Sequence, residues 1–401
     1  MFSLIAGSTA AALLNLPSLP SPVEVFQAVD ALVYAADRQR DEVISGTKRA
    51  ALGFDALSTL DTYALPPLKS TIAITGATDG IGKEAAAFLA NAGYGVILLA
   101  RDSAKAEKTV DYLRGLKADA RVMVVTADLA SIESVEASVS LIEEAAQALG
   151  SPLRGLMLNA GIWPGKLQIT SDGMELALQA NHIGHFHLTQ RLMPVLERVR
   201  QAEGPDAPEA RVVTTSSSAH AFARSTQLDD PLWQRDAFDT NANYARAKFC
   251  NLLFAQELAE RAPPGIRSVA THPGVVLTTL FKELGPDYQE GSNVSPTGNS
   301  AVEDRLAGIP ALRTLQANTP LKVVLKSPEE GARPLLYSLL APGLPTGSYV
   351  VDCEVRDVAP AAKDAAARKE LWEWTREWIE GNLPVPVDAP GDEVAEQSSS
   401  S

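Results

Sequence analysis

The sequence predicts an α/β fold, a parallel sheet covered by helices on both faces and preceded by a helical extension. Three observations carry that prediction. Short, near-continuous apolar runs recur from Thr71 onward and alternate with segments of helical periodicity, the pattern of strands buried on both faces. The first run enters three glycines and then a helix-like segment, TIAITGATDGIGK from Thr71 to Lys83, as a site for a nucleotide phosphate requires. A hydrophobic content of 46 % over 401 residues suffices for a complete α/β core. Together these describe a Rossmann-type, doubly wound sheet in one large domain, whose ligands lie beyond the carboxyl ends of the strands.

Residues 1–70 form an N-terminal extension. Residues 2–16 are apolar and alanine-rich, yet no Lys or Arg precedes Arg38, and the run is short of the roughly 20 residues of a membrane span. It reads as neither a signal peptide nor a presequence. Pro17, Pro20 and Pro22 separate it from a helix expected over 25–50. Packing of this extension on the main domain is the favoured reading, and peripheral membrane attachment is the alternative. Pro66 and Pro67 then punctuate the chain before the first strand.

The catalytic domain is expected over 71–358, with strands at 71–75, 95–99, 121–126, 154–158, 210–215, 266–270 and 347–351. Residues 279–327 are a long insertion bearing Pro and Gly, readable as a lid, a lipid-facing element or a surface excursion. A C-terminal helix is expected over 359–381, with Trp372, Trp374 and Trp378 packing it onto the core. Residues 382–401 are Pro-rich, acidic and end in serines, the composition of a disordered tail.

Charge and ligand types narrow the function. A net charge of -14 without a Lys/Arg cluster argues against nucleic acid as a partner, because phosphate neutralisation needs clustered cations. Cys250 and Cys353 supply neither a disulfide framework nor metal-ligand spacing. His182, His185 and His187 fall on different sides of a helix with no carboxylate or thiolate beside them in sequence, so no metal site is expected.

The glycine spacing is G-x-x-x-G-x-G at Gly76, Gly80 and Gly82. It differs from the G-x-G-x-x-G of other dinucleotide sites and from a Walker loop, since Ala77 and Glu84 stand where that loop needs Gly and Ser or Thr. The second strand ends in Ala100 and Arg101, and an Arg there accommodates the 2′-phosphate of NADP. Asp102 keeps a ribose contact open as the alternative. Asp128 ends the third strand, suited to the adenine amino group or to capping the next helix. Asn159 and Gly161 after the fourth strand let backbone pass close to a cofactor. The fifth strand ends in serines (VVTTSSSAH, Val212 to His220), and Tyr244 and Lys248 follow four apart on a helix, hence on one side of it. A free Tyr titrates near 10, so bringing it to neutrality takes roughly 4 kcal/mol. A nearby Lys and an oxidised, positively charged nicotinamide are the available sources.

In this order the motifs resemble the short-chain dehydrogenase/reductase family: TGATDGIG from Thr75 to Gly82, Asp128, NAG from Asn159 to Gly161, Asn181, Ser217, Tyr244 with Lys248, and HPGVVLT from His272 to Thr278. They cover roughly residues 70 to 280. The resemblance implies Tyr244 as general acid/base, Ser217 as the group positioning the substrate oxygen, Lys248 on the nicotinamide ribose and Asn181 as holder of a relay water. Ser217 is taken over Ser216 and Ser218 by alignment of Ala219 and His220. It also implies cofactor contacts at Gly76, Thr78, Gly80, Ile81, Gly82, Arg101, Asp128, Leu129, Asn159, Ala160, Gly161, Tyr244, Lys248, Pro273, Gly274, Val276 and Thr278. Departures are Leu158, where the family usually has Asn, and Ala247, where Ser is common.

The stretch from Asn181 to Thr189 (NHIGHFHLT), Ala219 with His220, and KELWEW from Lys369 to Trp374 are similar to retinol dehydrogenase-like and WW-domain oxidoreductase-like members. The implied function is an NADP(H)-dependent oxidoreductase acting on a small lipophilic carbonyl or alcohol, such as a retinoid or aldehyde. An NADP(H)-binding regulatory or redox-sensing scaffold is the alternative, and a membrane-associated assembly subunit recruited through residues 1–70 is a third reading. A monomer or homodimer in a cytoplasmic, membrane-associated or organellar setting accommodates all three.

Overall fold

The computed structural model describes residues 63–383, apart from 205, 224, 277, 279 and 281–324. The helix expected over 25–50, nearly all of the 279–327 insertion and residues 384–401 of the tail lie outside the described residues.

The apolar runs become strands β1 (Thr71–Thr75), β2 (Gly95–Ala100), β3 (Val122–Thr126), β4 (Leu153–Leu158), β5 (Ala210–Thr215) and β6 (Ile266–His272). Four short strands follow: β7 (Val275–Val276), β8 (Leu325–Lys326), β9 (Tyr349–Val351) and β10 (Glu354–Arg356). The main sheet has the order β10-β9-β6-β5-β4-β1-β2-β3. Every pair in it is parallel except β10 with β9.

Two features depart from the expected strands. β10 is a polar, exposed edge strand (Glu354, Val355, Arg356) reached through a turn at Asp352 and Cys353, both at positive φ. Such turns normally announce themselves by Asn-Gly or Asp-Gly, and this one carries no such signal. β7 and β8 form a separate two-stranded parallel pair, too short to leave a periodicity.

Among the described residues, seven long helices cover the sheet: α1 (Gly80–Asn91), α2 (Ser103–Leu116), α3 (Ile132–Ala148), α4 (Gly184–Glu203), α5 (Thr240–Arg261), α6 (Pro328–Leu340) and α7 (Ala365–Asn382). Asp102, Ser131, Asp239 and Asp364 each accept a first-turn N–H at the start of α2, α3, α5 and α7, satisfying donors that would otherwise lack partners. Ser327 and Glu330 close a reciprocal capping box on α6.

Strand alternation assigns the two faces. Ile72 and Ile74 of β1 join Leu89 of α1, Leu113 of α2 and Leu335 of α6 in one core. Ala73 between them joins Val135 of α3, Leu188 of α4 and Leu253 of α5 in the other. α7 closes the second layer from outside. Its Trp372 meets Phe186 edge-on at 4.8 Å and stacks on Phe254 at 6.0 Å, while Trp374 and Trp378 pack more peripherally on the same core.

Strand order runs outward from β1 through β2 to β3, then reverses to β4 on the other side of β1. At that switch the loops after β1 and β4 diverge, and a crevice opens above the carboxyl ends of the strands.

Candidate active site

The turn after β1 leaves no room for side chains. Gly76 has φ +67°, and a Cβ there would stand 2.8 Å from Ala160 Cα; a Cβ on Gly82 would stand 2.3 Å from Gly76 O. The loop therefore packs against the loop after β4, while the start of α1 packs beneath the turn. Asp79 caps α1 by accepting from Gly80 N at 2.7 Å and pairs with Lys105 Nζ at 3.0 Å. The result is a backbone cradle at a helix N-terminus, shaped for a diphosphate.

A buried network joins this cradle to the segment carrying Asn181. Thr75 Oγ1 accepts from Asn159 N at 2.9 Å and Ala160 N at 3.0 Å, and lies 2.8 Å from His185 Nε2. His185 Nδ1 donates to Asn181 O at 2.9 Å, which leaves Nε2 to accept the Thr75 hydroxyl proton. Burial holds His185 neutral by pushing its pKa down to about 4. Asn181 sits in a π-helical stretch, Gln179–Ile183, that leads into α4. Its side chain accepts from Ile162 N at 2.8 Å and donates to Ile162 O at 3.0 Å. Interruptions of this kind in a helix often mark functional sites. Among the three histidines of this segment, His182 meets Thr375 of α7 at 3.0 Å and His187 meets Glu136 of α3 at 3.0 Å. Each is thus occupied in packing one helix on another.

The serine run splits into three roles. Ser216 Oγ donates to Lys248 O at 2.7 Å, which commits its hydroxyl proton to the α5 backbone. The Ser217 hydroxyl hydrogen-bonds the Tyr244 phenol and accepts from Ala219 N at 3.2 Å. Ser218 N donates to His272 Nδ1 at 3.3 Å. Lys248 Nζ donates to Thr215 O at 3.2 Å and lies 5.6 Å from the Tyr244 ring centroid. A Cβ on Gly161 would stand 3.2 Å from Lys248 Nζ and 3.5 Å from Asn181 Oδ1, so the glycine keeps that corner open.

Burial dominates the electrostatics of this set. It pushes the Tyr244 phenol above its ordinary range, against a smaller lowering from the Ser217 hydroxyl, and it lowers Lys248 to about 8. The part of the phenol's lowering expected from Lys248 is therefore absent in the chain by itself. The ammonium is instead turned to the backbone carbonyl of Thr215.

These groups surround a cleft of about 690 Å³. Gly76, Thr78, Gly80, Ile81, Arg101, Asp128, Leu129, Asn159, Ala160, Gly161, Ser217, Tyr244, Lys248, Pro273, Gly274, Val276 and Thr278 all line it. Gly82 and Asn181 stand behind its wall, the first in packing and the second holding the loop at Ile162. Asp102 reaches the cleft but spends one carboxylate oxygen on Lys105 N at 3.0 Å. Asp128 likewise accepts from Ala130 N at 2.9 Å, so it closes the turn before α3 while Ser131 caps that helix. Lys105, Trp163, Phe222 and Leu280 also line the cleft and were not singled out from sequence. Trp163 had a usable signal, since it stands two residues after Gly161 in the strand-end turn. Phe222 and Leu280 had none.

The sequence pattern of the short chain dehydrogenase family matches residues 70–228. Dehydrogenase/reductase SDR family member 13 from Bos taurus is 34 % identical over 330 residues, covering 80 % of this chain and 76 % of that protein. Retinol dehydrogenase 13 from Homo sapiens is 32 % identical over 306 residues, covering 75 % and 82 %. The crystal structure of an uncharacterized protein from Mycobacterium Paratuberculosis superposes with a TM-score of 0.56 at 26 % identity, covering 79 % of this chain and 97 % of that one. Similarity of this extent, on a doubly wound sheet with the cleft at its switch point, means that the chain belongs to the short-chain dehydrogenase/reductase family, oxidoreductases that use a nicotinamide cofactor on alcohol and carbonyl groups.

Proposed function

We propose that this protein is an NADP(H)-dependent oxidoreductase that interconverts a lipophilic alcohol and its carbonyl compound, a retinoid or an aldehyde being the substrate type. The observation that carries the reading is the convergence of Ser217, Tyr244 and Lys248 on one cleft with the glycine cradle. The nicotinamide cofactor, when bound, supplies or accepts the hydride.

The chain's own groups do the rest. The turn from Gly76 to Gly80 and the start of α1 receive the diphosphate. Arg101, at the end of β2, and Lys105 provide positive charge for a 2′-phosphate, while Asp102 is engaged as a helix cap; that pairing supports NADP over NAD. Lys248, whose Nζ lies beside Gly161, would hold the nicotinamide ribose. In reduction the Ser217 hydroxyl hydrogen-bonds the substrate oxygen and the Tyr244 phenol donates its proton to it. A phenol raised by burial is fully protonated at neutral pH, as reduction requires. Oxidation needs the phenolate, and there the positive charge of the oxidised cofactor offsets the burial.

Ile162, Trp163, Phe222 and Leu280 are among the residues lining the cleft, and these apolar groups favour a lipophilic compound, in keeping with the name of the human relative. The test is NADPH oxidation by the full chain against a panel of aldehydes and ketones including retinal and medium-chain aldehydes, with Tyr244→Phe as control. Turnover abolished by Tyr244→Phe supports the reading. NADPH binding without turnover across the panel refutes it in favour of a regulatory role.

A further inference from the structure

Trp163 has entered so far only as part of the cleft's apolar lining, yet its indole lies flat on the Tyr244 phenol. The ring centroids are 4.3 Å apart and the planes within 11° of each other. Two hydrogen bonds lock the surrounding loop to the first turn of α5, the helix that carries Tyr244. Trp163 Nε1 donates to Thr240 O at 3.1 Å, and Thr240 Oγ1 donates to Pro164 O at 2.6 Å. Thr240 and Tyr244 are one helical turn apart, so the loop is anchored directly above the ring that it covers.

We propose that Trp163 is a positioning residue for proton exchange at Tyr244, holding the plane of the phenol and excluding water from one of its faces. This rests on the reading of Tyr244 as the group that exchanges the proton.

Three points carry the inference. The helix fixes only the Cβ of Tyr244, and the Ser217 hydroxyl touches only its oxygen, which leaves rotation of the ring to be restrained by whatever lies on its face. An indole at stacking distance supplies that restraint with a large, rigid, apolar surface. Proton transfer needs heavy atoms within about 2.6–3.2 Å, and a displacement of about 1 Å costs about 100-fold in rate. Within the loop after β4, Asn159 and Ala160 hold the glycine turn, whereas the Trp163 indole contacts Tyr244 and Thr240. Loss of the indole should therefore bear on chemistry more than on dinucleotide affinity.

The experiment compares wild type, Trp163→Ala, Trp163→Phe, Thr240→Val and Tyr244→Phe. It measures kcat and KM on the best carbonyl of the panel, NADPH affinity by fluorescence titration, and the folded fraction by circular dichroism. Trp163→Ala should lower kcat about 10- to 100-fold with NADPH affinity within about twofold of wild type. Trp163→Phe, which keeps a ring on the phenol, should recover most of that loss. Thr240→Val, which deletes only the bond to Pro164, should lower kcat about threefold and carries the test if Trp163→Ala does not fold. A kcat within about twofold of wild type in the folded Trp163 variants, beside an inactive Tyr244→Phe, overturns this inference alone, as does a loss that follows the folded fraction. A wild type that binds NADPH and turns over nothing, or a fully active Tyr244→Phe, overturns the proposed function, and this inference with it.

Discussion

His182 provides a stability prediction independent of any substrate. Its ring is 1 % exposed, meets Thr375 of α7 at 3.0 Å, and is held neutral by burial and by neighbouring His185, with its pKa pushed from 6.5 down to about 3. The unfolded chain carries an ordinary imidazole, so below pH 6.5 it binds a proton that the folded chain refuses. The stability due to a neutral His182 is thus complete above pH 6.5 and is lost as pH falls toward about 3. At pH 5 the unfolded imidazole is almost fully protonated and the folded one is not, which costs about 2 kcal/mol relative to pH 8. That figure depends almost entirely on the unfolded pKa, because pH 5 lies well above the folded value. His182→Gln keeps a polar group toward Thr375 and removes the titration. Urea unfolding at pH 8 and pH 5 should show the variant losing about 2 kcal/mol less than wild type over that interval, whatever its stability at pH 8. Equal losses in the two proteins would refute the reasoning and mean that the folded imidazole takes up a proton near its ordinary pKa.

Four further outcomes can be checked directly. Gly82→Ala places a Cβ 2.3 Å from Gly76 O and should destabilise by about 1–3 kcal/mol with loss of NADPH binding. Gly115→Ala, in α2 with nothing within 4 Å of its Cβ, should instead stabilise by up to about 1 kcal/mol; denaturation of both variants and a fluorescence titration decide it. Arg101→Ala should weaken NADPH by on the order of tenfold or more, as loss of a charge-assisted hydrogen bond does, with NADH little affected; equal losses for both would count against the NADP assignment. Trp372→Ala, which removes the ring packed on Phe186 and Phe254, should cost about 3–5 kcal/mol, read as a lowered urea midpoint.

The stretches that sequence alone determined are those whose pattern is local. β1 through β6 and β9 were read as short apolar runs; for all but the half-exposed edge strand β3, burial on both faces is the cause of that composition, so their existence and order could be read without coordinates. The glycine turn was legible for the same reason. Backbone approach at a helix N-terminus demands residues without a Cβ, and the spacing of Gly76, Gly80 and Gly82 records where that approach occurs. Tyr244 and Lys248 carried their own geometry, being one helical turn apart.

Tertiary structure decided what depends on contacts between distant segments. Three adjacent serines are chemically identical in sequence, and only the positions of Lys248, Tyr244 and His272 assign Ser216, Ser217 and Ser218 to different partners. β10 forms because β9 offers it an edge, with no apolar run of its own. The direction of the Tyr244 shift is set by how completely the fold strips water from the phenol, which outweighs the lowering from the Ser217 hydroxyl. The stack of Trp163 on Tyr244 joins residues 81 positions apart through a loop latched to Thr240. Local periodicity reports which side of an element faces the core, whereas the partner on that side is chosen by packing of the whole chain, and no spacing in the sequence encodes it.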